Sequence, residues 1–147
     1  MMNFNLSAVA QPSQSVEYLQ RKLAFYSDAW DLAEDVQKGN PGIVVLDVRS
    51  ETHYRQGHIT TARSFPHRTM TAETLAQLDP SLLYITYCDG IGCNGSTKGA
   101  LKLAQAGFYV RELIGGLDFW KRDQHPVTTG ELPGEWPSSP ADKECGC

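Results

Sequence analysis

Apolar residues recur along this chain in two rhythms. In "IVVLDV" (43–48) and "LLYITYC" (82–88) they run on with little polar alternation, which predicts strands buried on both faces of a parallel sheet. "FYVREL" (108–113) reads as a further strand, and "ARSFPH" as a short one stopped by Pro66. The second rhythm is helical. "SDAWDLAEDVQKG" predicts a helix with Ser27 or Asp28 as N-cap and Lys38 and Gly39 at its close. "TAETLAQLDP" predicts one capped by Thr71 and ended before Pro80, and "STKGALKLAQAG" one that starts near Ser96 or Thr97. Upstream, "SVEYLQRKLAFY" sets Val16, Leu19, Leu23 and Tyr26 at helical spacing, although Leu23 to Tyr26 reads equally as a short edge strand.

Strands alternating with helices at short intervals imply an α/β fold: a mostly parallel central sheet of about five strands with helices on both faces. The same pattern divides the chain. Residues 1–14 are small and polar and predict a loose arm, residues 15–124 a single domain, and residues 125–147 a tail dominated by Pro, Gly and Ser.

Composition narrows the function. A chain of 147 residues, 41% hydrophobic, is long enough to bury a core without staples. A formal net charge of −4, with thirteen Lys and Arg that form no run, argues against nucleic acid as a partner. No stretch approaches the roughly 20 apolar residues of a membrane span, and no Lys or Arg precedes Arg21 as a secretory leader would require. The expectation is a cytoplasmic protein without membrane contact. There, four cysteines are more often thiols, metal ligands or redox groups than structural bridges.

Two of them share one loop. Cys88 ends the strand "LLYITYC", where an open α/β sheet binds its ligands. The residues that follow, Asp89, Gly90, Ile91, Gly92, Cys93, Asn94, Gly95, Ser96 and Thr97, lead into a helix. The three glycines allow backbone N–H groups to turn inward, and the helix start adds its own unpaired ones, so the loop is expected to cradle an anion around Cys88. Such a cradle lowers a thiol pKa and suits a persulfide. Two neighbouring chemistries are disfavoured. A thiol-based phosphatase needs an arginine six positions beyond the cysteine, where this chain has Asn94, and "GSTK" reverses the residue order of a P-loop.

These residues resemble the rhodanese (sulfurtransferase) homology domain over about residues 28–122. "VVLDVRSETHYRQGHITTARSFP" is similar to the family's N-terminal signature, "YITYCDG" to the strand before its catalytic cysteine, "STKGALKLAQAGF" to the helix after the active loop, and "ELIGGLDFW" to its closing motif. The resemblance implies a rhodanese-like fold and a persulfide carried on Cys88. A thiolate attacks the sulfane sulfur of a donor, and an acceptor nucleophile then takes that sulfur away. By the same pattern Asp47 and Arg49 brace the loop, and His58 is a hydrogen-bonded structural residue rather than a base. Lys98 either adds positive potential or is plain surface charge. No metal or cofactor is expected.

The chain departs from the family pattern in two places. Its active loop is longer by a few residues and carries a second cysteine, as in a single-domain subgroup, and Thr60 and Thr61 stand where the family usually has Pro-Gly, a change expected to be tolerated. Three roles are open to Cys93: a resolving thiol that closes a disulfide with Cys88, the nucleophile itself, or a spectator. Cys145 and Cys147 read as free thiols of the tail. Thiosulfate is one donor, but the lack of a loop arginine and the charge of Asp89 should repel a dianion, which favours glutathione persulfide or polysulfide. The acceptor is a thiol, with a thioredoxin-like protein as one form. Two rival functions stand beside sulfur transfer: a redox sensor or reductase using Cys88 and Cys93, and a non-catalytic binding module.

Overall fold

A computed structural model describes residues 5–138. The elements in chain order are α1 (Pro12–Phe25), β1 (Tyr26–Ser27), α2 (Ala29–Gln37), β2 (Ile43–Asp47), α3 (Glu51–Gln56), β3 (His58–Ile59), β4 (Arg63–Ser64), α4 (Ala72–Leu75), β5 (Leu83–Tyr87), α5 (Gly95–Gln105), β6 (Tyr109–Leu113), α6 (Gly116–Arg122) and β7 (Val127–Thr128). Five strands form one sheet in the order β1-β6-β5-β2-β4, every pairing parallel. The fold class is the one the apolar pattern predicts.

Alternate residues of the central strands supply two cores. Val45, Ile85 and Tyr87 pack with Leu32 of α2 and with Leu117 and Trp120 of α6 on one face. Val44, Leu46 and Tyr84 pack with Leu75 of α4 and Leu103 of α5 on the other. This two-sided burial is why the strand sequences are unbroken apolar runs.

Two expectations change at the edges. The arm foreseen over residues 1–14 is shorter, because Leu6–Ala8 makes a 3-10 turn and α1 already opens at Pro12, a residue whose fixed φ suits a first helical position. That helix carries Val16, Leu19 and Leu23 at the expected spacing but buries no residue. The tail foreseen from residue 125 does not start loose. β7 pairs antiparallel with β3, Trp120 Nε1 donates to Pro126 O at 2.8 Å, and Trp136 meets Trp120 edge to face at 6.2 Å. Cys145 and Cys147 lie outside the described residues.

Thr61 shows the effect of the missing Pro-Gly. Its φ is +81°, a left-handed conformation that disfavours a β-branched residue, and its N–H donates to Pro133 O at 2.9 Å. The substitution expected to be neutral therefore leaves local strain.

Candidate active site

β2 and β5 run side by side in register from Ile43↔Leu83 to Asp47↔Tyr87, so both strands end at the same level. Val48 N donates to Tyr87 O at 3.2 Å, and beyond β4 Phe65 N donates to Asp47 O and His67 N to Val48 O, at 2.9 and 3.1 Å. Three chain segments thus emerge together: Val48–Arg49, Cys88–Asp89 and Pro66–His67. With the start of α3 and Gly95 they enclose an open cleft of about 590 Å³.

One wall is built on Arg49. Its Nη2 donates to Asp47 Oδ2 and to Gly57 O, both at 2.7 Å, its Nε to Asp47 Oδ1 at 3.0 Å, and its Nη1 to Asp89 Oδ1 at 2.9 Å. Asp47 is fully buried and also accepts from its own neighbour Arg49 N at 3.0 Å and from Tyr87 Oη at 2.8 Å. Tyr87 Oη in turn accepts from Ile59 N at 3.0 Å. Burial opposes the Arg49 charge, yet the hydrogen bonds and charge of Asp47 and the bond to Asp89 hold the guanidinium pKa above its ordinary value. Burial, and then the Asp47 charge, push the Tyr87 phenol well upward, so it stays a donor.

The opposite wall carries the sulfurs. Cys88, 5% exposed, is joined to the half-buried Cys93 in a disulfide, with Cα atoms 6.3 Å apart. Gly95 makes room for the pair: a Cβ there would stand 3.0 Å from Cys88 Sγ, 3.4 Å from Cys93 Sγ and 3.6 Å from the ring carbon Cδ2 of His67. Beneath the loop, the start of α6 clamps it, because Leu117 N donates to Cys88 O at 3.0 Å and Asp118 N to Asp89 O at 2.8 Å. Gly116, at φ +56°, is required there, since a Cβ would run into the Cys88 carbonyl oxygen.

The anion cradle foreseen around Cys88 takes a different form. Among the described residues the only backbone N–H bonded to a loop sulfur is that of Gly95, which donates to Cys93 Sγ at 3.4 Å. Helix α5 starts at Gly95, earlier than expected, and Asn94 is its N-cap without a side-chain bond. Gly90 packs against Asp118, while Ile91 and Gly92 form the exposed loop tip. The hydroxyls of Ser96 and Thr97 turn away from the cleft and both donate to Glu112 on β6. Lys98 is exposed on α5.

His58 is fully buried outside the cleft. It stacks on Tyr54 with ring centroids 3.6 Å apart, and its ring nitrogens face Tyr54 O at 2.8 Å and Pro133 O at 3.2 Å. Asp89 is paired with Arg49, which it shares with the buried Asp47, so the three groups together keep one negative charge. Sequence reasoning missed His53, Arg55, His67 and Arg68, which all line the cleft. The rule that ligands gather beyond strand carboxyl ends, applied to "ARSFPHR" as well as to "LLYITYC", would have found the last two.

Residues 28–123 match the rhodanese-like domain family. The chain belongs to that family. The BH2092 protein from Bacillus halodurans is 36% identical and of similar shape, with 92% of this chain and 99% of that one aligned at a TM-score of 0.79. A thiosulfate sulfurtransferase from Pseudomonas aeruginosa is 23% identical, aligns 84% of this chain to 25% of that one at a TM-score of 0.62, and shares the fold. The HTH-type transcriptional regulator Rv0324 of Mycobacterium tuberculosis is 32% identical over 108 residues, which are 73% of this chain and 47% of that protein. The chain thus spans about half the length of this curated relative. No helix among the described residues is long and apolar enough to cross a membrane.

Proposed function

We propose that this rhodanese-like domain is a sulfurtransferase that carries a sulfane sulfur on Cys88 as a persulfide. The observation that carries this reading is the cleft beyond β5, with Cys88 in its wall between Asp89 and Gly95. The Cys88 thiolate attacks the outer sulfur of thiosulfate, sulfite leaves with the bonding pair, and the persulfide remains. An acceptor thiolate then attacks the outer persulfide sulfur and returns Cys88 as thiolate. The acceptor is a small thiol or a thioredoxin-like protein.

The pairing of Asp89 with Arg49 weighs on the choice of donor. Its carboxylate shares the Arg49 guanidinium, at 2.9 Å, with Asp47, and Arg55 and Arg68 line the same cleft beside Glu51, so the repulsion of a dianion expected from Asp89 is reduced. Thiosulfate, glutathione persulfide and polysulfide therefore all belong to the proposed donor class. Incubating the reduced protein with thiosulfate or polysulfide, then measuring intact mass, should show a gain of one sulfur that Cys88→Ser abolishes. A protein that gains none under any donor is not a sulfurtransferase of this kind.

A thiol redox sensor or reductase is the second reading, favoured by the Cys88–Cys93 disulfide itself. The relation to a transcriptional regulator gives that reading a context, a domain that reports thiol state to an attached partner. It predicts reversible opening of the disulfide without any sulfur adduct on Cys88. A purely non-catalytic binding module is the weakest reading, since it has no use for a reactive thiol pair in an open cleft.

A further inference from the structure

The two sulfurs of the loop disulfide have unlike surroundings. Cys88 is buried and its Sγ receives no hydrogen bond among the described residues, whereas Cys93 is half-buried and its Sγ accepts from Gly95 N at 3.4 Å. Gly95 opens α5, an eleven-residue helix, so Cys93 stands at the end where the helix dipole favours negative charge. His67 lines the same cleft, its ring carbon Cδ2 3.6 Å from the point a Cβ of Gly95 would occupy. A backbone bond from His67 N to Val48 O and a side-chain bond from Lys102 Nζ to His67 O, at 3.1 and 2.6 Å, hold the His67 main chain in place. Burial, then Lys102, Lys98 and Arg68, lower the His67 pKa, so its ring is unprotonated at neutral pH. The Gly95 N–H, at the start of this helix, thus favours a thiolate at Cys93.

Resting on the reading of Cys88 as the persulfide carrier, we propose that Cys93 ends the cycle by attacking Cys88 Sγ, so that the domain releases its sulfur as hydrosulfide and closes the Cys88–Cys93 disulfide, which an external thiol reopens at Cys93. The step balances without any oxidant. The Cys93 thiolate forms the new S–S bond, the bond between Cys88 Sγ and the outer sulfur breaks, and that sulfur leaves with the electron pair as hydrosulfide. The sulfane sulfur is reduced and the two thiols are oxidised to a disulfide. A thiolate of the external thiol then attacks Cys93, the accessible sulfur, and Cys88 leaves as the thiolate ready for the next donor. A second external thiolate clears the mixed disulfide from Cys93. On this branch, taken when no acceptor thiolate has removed the outer sulfur, the consumed co-substrate is a small thiol and the product is sulfide.

The test uses the full chain, reduced under anaerobic conditions, loaded with inorganic polysulfide and desalted free of reductant. Sulfide release and intact mass are followed together, with peptide mapping of the cysteines. In the wild type the Cys88 adduct should decay as an equal amount of sulfide appears and the Cys88–Cys93 disulfide forms. In Cys93→Ser, and in Cys93→Ala as a second variant checked for folding, the adduct should persist at least about tenfold longer with no matching sulfide. A parallel series with Cys145→Ser and Cys147→Ser prevents the C-terminal thiols from standing in for Cys93. Glutathione added to the oxidised protein and quenched in acid should be found on Cys93. Sulfide release at the wild-type rate in both Cys93 variants overturns the proposal, as does glutathione found on Cys88. Absence of any adduct in wild type and variants alike instead removes the persulfide reading beneath it.

Discussion

On one side of the cleft Arg49 donates to Asp47, Gly57 and Asp89 from within the protein; on the other, Arg68 is exposed, His67 and Cys93 are half-buried, Cys88 is buried, and among the described residues a single backbone N–H reaches a sulfur. The first wall consists of groups whose partners are all supplied by the protein, so none is free to react. In the second, the polar atoms are left for a substrate. The difference teaches which residues of the loop region are scaffold and which are chemistry, although both kinds are polar and lie within a few residues of a strand end.

The comparison can be broken at its firmest point. Arg49→Ala leaves the fully buried Asp47 without its counter-charge and should cost about 3–5 kcal/mol in urea unfolding, because an unpaired buried charge has neither water nor a partner. A loss below about 1 kcal/mol would mean that water enters this wall freely. Tyr87→Phe removes the donor to Asp47 and the acceptor for Ile59 N, and should cost about 1–3 kcal/mol by the same measurement.

Thr61→Gly should act in the opposite direction, stabilising the domain by about 1 kcal/mol, since it relieves a β-branched residue at φ +81° while keeping the N–H bond to Pro133. Unchanged or lowered stability would show that the Thr61 side chain contributes more than its backbone strain takes away. The smallest effect belongs to the open wall. The folded-state pKa of His67 lies below its ordinary value of 6.5, so the unfolded chain binds that proton more tightly. Its contribution to stability is therefore complete above about pH 6.5 and is lost as the pH falls through that value. His67→Gln should narrow the gap between unfolding midpoints measured at about pH 7.5 and pH 5.5, and an unaltered gap would show that His67 titrates alike in both states.

Much of the scaffold was legible in the chain, for a definite reason. β2 and β5 are buried on both faces, so their sequences are continuous apolar runs, and Asp28 and Thr71 are N-caps because their side-chain oxygens answer N–H groups that no helix can satisfy internally. Helix α1 has the spacing of a core helix yet buries nothing, since periodicity records which residues share a face and not whether anything packs against it. β3 and β7 were invisible for a related reason: two-residue strands have no period, and their pairing joins segments about seventy residues apart.

The active loop divides in the same way. The sequence alone carries a cysteine at the end of the central strand, glycines that let the following loop turn, and a parallel α/β sheet, because each of these follows from local propensity and pattern; that the sheet is rhodanese-like was implied by the resemblance of its motifs. The arrangement in space decides which thiol meets the helix terminus, which one is buried, and that Asp89 is held by Arg49 while His67 lines the cleft of the sulfurs. Those facts depend on where β4, β5 and α5 end relative to one another in space. Side-chain chemistry is written residue by residue, but its partners are chosen by the sheet.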